Sequence, residues 1–124
     1  MIQLDYKSGM PICDQVVNGV IRLKALGVLS AGDQLPSVRV LALQLSVNPN
    51  TIQKAYHILE NDSVIYSVQG KGSFVSGDEA AHNAVIQKAK NGFADAVVRA
   101  RELGLRADDL MEIIDEKYKG GESE

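Results

Sequence analysis

Three stretches decide the fold of this chain: Gln34-Leu-Pro-Ser-Val-Arg39, Leu45-Ser-Val-Asn-Pro-Asn-Thr-Ile-Gln-Lys-Ala-Tyr56 and Gly70-Lys-Gly-Ser-Phe-Val75. In the second, Asn48 is a good N-cap, and Pro49 falls at the first helical position, where its missing N–H costs nothing. At about 100° per residue, Ile52, Ala55, Tyr56 and Leu59 share one apolar face of the resulting helix. Asn50, Gln53, Lys54, His57 and Asn61 point the other way and bring no negative charge to that side. The first stretch opens a shorter helix at Pro36-Ser37, with Val38, Leu41, Ala42 and Leu45 as its apolar face. Around the third, Val64 to Val68 and Ser73 to Ser76 read as strands, and Gln69-Gly-Lys-Gly72 is the hairpin tip between them.

Working outward, Ile2-Gln-Leu-Asp-Tyr alternates and is expected to form a short strand. Pro11 suits the first turn of a helix whose stripe is Ile12, Val16, Val20, Leu23 and Leu26, ended by Gly27. Val28 to Asp33 reads as a loop. The spacing thus predicts a mostly α chain with a small β-wing: a winged helix-turn-helix over residues 1–77 and a helical tail over 78–124. Ser76-Gly-Asp78 is the expected hinge between them.

The tail predicts one long helix with Val85, Ala89, Phe93, Ala96, Ala100 and Leu103 in phase. Asn91-Gly92 is also a turn signal, and a break there is the alternative. Gly104 is the expected cap. Asp108 to Lys119 reads as a last helix with Leu110, Ile113 and Ile114 inside, followed by a solvated end from Gly120 to Glu124. A helix of about 25 residues spans roughly 37 Å. One such helix and a four-turn partner cannot cover both apolar faces. Two copies about a two-fold axis can, so the tail is read as a homodimer interface; folding back on the winged domain is the alternative.

Composition narrows the function. The 124 residues carry a net charge of −3, which is not the basic footprint of a nucleic-acid binder. The charge is uneven, however. Residues 1–77 hold six Lys/Arg against five Asp/Glu, and residues 78–124 hold seven against eleven, so the acidity sits in the tail. Cys13 is the single cysteine, which excludes an internal disulfide and a four-cysteine metal site; its place in an apolar pattern makes it a packed thiol. His57 and His82 stand in different segments without ligands at metal spacing, and His82 reads as surface. No Ser/His/Asp set, paired carboxylates or Walker spacing is present, so neither a catalytic site nor a cofactor is expected. No stretch approaches a membrane span and no signal peptide is recognised, so a cytoplasmic location is expected.

The blocks Gly32-Asp-Gln-Leu-Pro-Ser-Val-Arg39, Leu41-Ala42, Val47 to Tyr56, Leu59-Glu60 and Gly70 to Val75 occur in order and at the spacing of a known family. In them the chain resembles the DNA-binding domain of the GntR family of bacterial transcription regulators, over roughly residues 2–76. The short helical tail resembles the YtrA subfamily. The resemblance implies a homodimer that binds a palindromic double-stranded DNA operator, usually as a repressor, and control of transport genes. It implies DNA contacts by Ser37 and Arg39, by Asn48, Asn50, Thr51, Gln53, Lys54 and Tyr56 of the recognition helix, and by Gly70, Lys71 and Gly72 of the wing.

Physical chemistry agrees with those roles. Arg39 can pair bidentately with phosphate or guanine. Asn50 and Thr51 sit where free N–H groups and the helix dipole attract phosphate. Gln53 can read adenine. Three positions depart from the family pattern. Ser46 and Ser63 stand where glycine is usual, and Lys71 is the only charged residue of the wing tip, so modest wing contacts are expected. A small-molecule effector of unknown identity is the expected release signal. The tail is too short for a separate ligand domain, so its pocket is expected between subunits or between tail and wing. The rival reading is a protein–protein adaptor, which the acidic pI of 5.4 favours. A fused aminotransferase-like enzyme, known in the family, has no room in this length.

Overall fold

A computed structural model describes residues 2–122, with side chains to residue 120. The order is α1 (Ile12–Ala25), α2 (Val38–Leu45), α3 (Pro49–Asn61), β1 (Ile65–Val68), β2 (Gly72–Val75), α4 (Glu79–Glu102) and α5 (Ala107–Glu122). The architecture is mostly helical with one two-stranded antiparallel sheet. Two compact units result, Met1–Val85 and Ile86–Glu124.

The core of the first unit is built where the apolar spacing required it. Val16 and Val20 of α1, Leu41 and Ala42 of α2, and Ile52, Ala55 and Leu59 of α3 are buried together with Val64, Ile65 and Val75. In the hairpin, Ile65 pairs with Val75 inward, while Tyr66 and Phe74 stack on the other face with ring centroids 5.6 Å apart. Cys13 is buried, and burial pushes its thiol pKa up, away from the reactive thiolate.

Several expectations need correction. Ile2 to Tyr6 is not a strand. The Asp5 N–H donates to Gln15 Oε1 (2.8 Å), and Gln15 Nε2 donates to the Asp5 carbonyl (2.9 Å). A side chain of α1 thus satisfies the backbone that a partner strand would have satisfied. Ile2 and Leu4 still pack against the core. Pro11 is the N-cap of α1, immediately before the first turn it was expected to join, and Leu26, expected inside, is the exposed C-cap. His82, expected at the surface, is half-buried.

The segment after Val28 is more than a loop. Gly32 N–H donates to the Val75 carbonyl (2.8 Å), Val75 N–H to the Asp33 carbonyl (2.8 Å) and Leu35 N–H to the Ser73 carbonyl (2.9 Å). Gln34 bridges Phe74, so this segment runs along β2 as a partial third strand.

Ser46 and Ser63 both adopt positive φ, 56° and 58°. These are the two positions where the family pattern has glycine, and a Cβ there is strained. Ser46→Gly and Ser63→Gly are each expected to raise unfolding free energy by about 0.5–1 kcal/mol, measured by urea denaturation at unchanged m-value.

α4 is continuous across Asn91-Gly92, where Gln87 Nε2 donates to Asn91 Oδ1 (2.9 Å). Asp78 starts it by accepting the Ala81 N–H (3.0 Å). α5 is longer than expected and runs through Gly120 to Glu122. Of the expected solvated end, Ser123 and Glu124 lie outside the described residues. Leu110 and Ile114 are half-buried, but Ile113, expected inside, is exposed. Within the second unit α4 and α5 do not pack along their lengths. Phe93, Val98, Leu103, Met111 and Tyr118 are all exposed.

Candidate nucleic-acid interface

α2, a three-residue turn and α3 form the helix-turn-helix. Ser37 caps α2 by accepting the Val40 N–H (3.2 Å). The left-handed Ser46 ends α2, and Val47 N–H closes back on the Ala42 carbonyl (3.0 Å), which turns the chain sharply enough for α3 to start at once. Asn48 Oδ1 accepts the Asn50 N–H (2.8 Å), and Pro49 follows as the first helical residue. Neither helix has an acidic residue in its first turn.

The structure brings five of the eleven expected site residues to the start and open side of α3. Asn48, Asn50, Gln53 and Lys54 are exposed and Thr51 is half-exposed, while Ile52, Ala55 and Leu59 bury the opposite side. Ser37 and Arg39 are exposed at the start of α2, and Arg39 has no ion-pair partner among the described residues. His57 is exposed on α3 as well. Glu60 is exposed two turns after Gln53, so the carboxylate-free part of the outer face ends at His57.

Tyr56 does not join this surface. It is 5% exposed, and its hydroxyl donates to the Pro36 carbonyl at 2.7 Å. That bond ties α3 to the start of α2. Burial pushes the phenol up to about 12 from the ordinary 10. The folded state therefore keeps its proton while the unfolded chain loses it above pH 10. The resulting stability is complete below pH 10 and is lost as pH rises to about 12. Tyr56→Phe is expected to cost about 1 kcal/mol at pH 7 and to flatten the loss of stability between pH 10 and 12, both read by urea titration.

The wing is held by groups that spacing alone did not reveal. Lys71 N–H closes a four-residue turn on the Val68 carbonyl (2.9 Å), with Gly70 at φ 77° in its third position. Gly72 has φ 119°, and a Cβ there would lie 2.9 Å from Gln34 Nε2. That same amide donates to the Lys71 carbonyl at 2.8 Å. Gln34 thus clamps the wing tip to the segment that leads into α2, leaving the Lys71 side chain exposed. The sequence carried no periodic signal for this contact, because Gln34 and Lys71 are far apart in the chain and the Gln34 amide meets a backbone carbonyl, which any residue could present.

A family model described as bacterial regulatory proteins, gntR family, matches residues 14–75. The transcriptional repressor YtrA of Bacillus subtilis is 34% identical over 98% of this chain and 97% of its own length. The chain belongs to the GntR family. This GntR-family chain is a DNA-binding transcriptional regulator, and its relatives carry regulator names rather than enzyme names. Among solved structures, it is similar to a transcriptional antiterminator from Listeria monocytogenes (30% identity, 95% of this chain and 90% of that one, TM-score 0.77). The AraR DNA-binding domain solved in complex with operator ORX1 shares 26% identity over 61% of this chain and 95% of its own, with a TM-score of 0.55. Among the described residues no helix of this regulator is long and apolar enough to cross a membrane.

Proposed function

We propose that this chain is a homodimeric repressor that binds a palindromic operator through α3 and the wing and acts in the cytoplasm, released by a small effector. The observation that carries the DNA-reading part is the exposed face of Asn50, Gln53 and Lys54 on the first two turns of α3. Arg39 and Lys71 are exposed as well, and α3 carries no carboxylate before Glu60. The dipole at that helix start favours phosphate even though Asn48 already accepts the Asn50 and Thr51 N–H groups, and Gln53 is long enough to reach base edges. Ser37, Asn48, Thr51, Gly70 and Gly72 serve as backbone-positioning groups around it. Tyr56 acts from within by fixing the angle between the two helices. The AraR domain, solved on an operator, supports the same use of the fold here.

The dimer rests on the tail. α4 has no buried residue, and Phe93, Leu103 and Met111 are each more than half exposed. Apolar surface of this extent calls for a cover. A second copy of the same surface supplies one and carries two reading heads, as a two-fold operator requires. A domain division near residue 77 or 85 follows from the same picture.

Two substitutions separate the roles. Gln53→Ala is expected to erase about 1–3 kcal/mol of discrimination between the operator and a variant at its contacted base pair, with a smaller change on unrelated DNA. Arg39→Ala is expected to weaken binding to every duplex and to lower the log–log salt slope by about 1. Binding isotherms at several salt concentrations measure both. Equal losses on all sequences for Gln53→Ala would remove it as a base reader.

A further inference from the structure

Lys24, on the last turn of α1, and His82, on the first turn of α4, line one cavity of about 350 Å³ with Leu29, Ser30, Ser76 and Glu79. All of them belong to the first compact unit. Lys24 Nζ and His82 Nδ1 are both shut off from solvent, and neither has a hydrogen-bond partner among the described residues. An ammonium out of water without an acceptor is a costly arrangement, and so is an orphaned imidazole nitrogen. Glu79 lines the same cavity yet accepts no hydrogen bond from Lys24. Two separate side chains on two helices are therefore held at one place with their polar capacity unspent.

The chemistry left over is that of an oxyanion site. Lys24 has three N–H donors and no acceptor, and an imidazole Nδ1 donates in one of its neutral tautomers and in the cation. Ser76 Oγ already accepts the Asp78 N–H (3.0 Å), so its own proton is left to donate. We propose that this cavity binds a small anionic metabolite through a carboxylate or phosphate group, with Lys24 and His82 turning their enclosed donor atoms into it to become its direct ligands. The proposal gives a place and a chemistry to the effector of the reading above, and to that extent rests on it. Glu79 repels a second negative charge, so a monocarboxylate binds more tightly here than inorganic phosphate. A ligand held between the end of α1 and the start of α4 replaces two unsatisfied groups by charge-assisted hydrogen bonds.

The test is a titration of the ¹⁵N-labelled full chain with acetate and, separately, inorganic phosphate, at constant ionic strength in chloride. The expected result is saturable shift changes confined to residues 24–31 and 76–82, with an acetate dissociation constant on the order of 1 mM, weaker for phosphate. Lys24→Met and His82→Gln are each expected to weaken acetate at least tenfold while their remaining spectra stay native. Unsaturable shifts, shifts centred on Asn50 to Lys54, or unchanged affinity in both variants would overturn the proposal. Operator binding by the same samples without anion is read in parallel. Normal operator binding beside a silent titration defeats the cavity alone and leaves the DNA-binding function standing.

Discussion

Ile52→Ala is expected to destabilise the first unit by about 2–5 kcal/mol. Ile52 has no exposed surface and sits on α3 among Ala55, Leu59 and the buried residues of α1 and α2. Its loss removes the transfer energy of the deleted methyl and methylene groups and leaves a cavity that α3 cannot close without shifting its outer face. A domain of this size has a stability on the order of 5–15 kcal/mol, so the substitution takes a large part of it. Ile52→Val, which keeps most of the volume, is expected to cost about 0.5–1.5 kcal/mol. Urea denaturation of both variants gives the comparison. A loss below about 1 kcal/mol for the alanine variant would show that α3 is not anchored as described. Operator affinity measured well below the melting temperature is expected to fall less than stability does, because Ile52 is buried away from the exposed side of α3 that we propose meets DNA.

Truncation after Val85 is expected to leave a folded monomer that binds operator about 10²–10⁴-fold more weakly than the full chain. The first compact unit ends there, and Val85 itself packs against its core, so a cut at Gly77 would remove a supporting contact. The magnitude follows from linkage. Once one head of a dimer is bound, the second sees its half-site at an effective concentration in the millimolar range, and a monomer forfeits that advantage. Sedimentation and binding to an intact operator, then to a single half-site, measure it. Equal affinity of truncated and full chains for the intact operator would remove the tail from DNA binding, and dimers of the truncated form would move the interface into the head.

The helix-turn-helix was legible because its signals are local. Asn48-Pro49 names the start of α3, and Ile52, Ala55 and Leu59 name its buried side within a dozen residues. The exposure of Asn50, Gln53 and Lys54 follows from the same phase. The legible tail was a stripe without a break, since Val85 to Leu103 keeps its phase across Gly92. What stayed hidden depends on contacts between distant residues. Alternation in Ile2 to Tyr6 suggested a strand, but a strand needs an edge to pair with, and Gln15 satisfies that backbone instead. The Gly32 to Leu35 segment pairs with β2 although it is too short to show a period. Tyr56 was placed on the correct apolar face, yet its bond to Pro36, which makes it a positioning group, required knowing where α2 begins. The burial of His82 has the same origin, because one histidine in a helix gives no sign of what its first turn leans on.

The most direct test of the central claim is selection of sites by the purified full chain from random duplex DNA, repeated at two salt concentrations. The expected result is one two-fold palindrome recovered at both, with half-sites about one helical turn or a multiple apart and affinity falling steeply as salt rises. An enriched sequence without two-fold symmetry would contradict the dimer, and no enrichment at either salt would contradict α3 as a reader of DNA sequence.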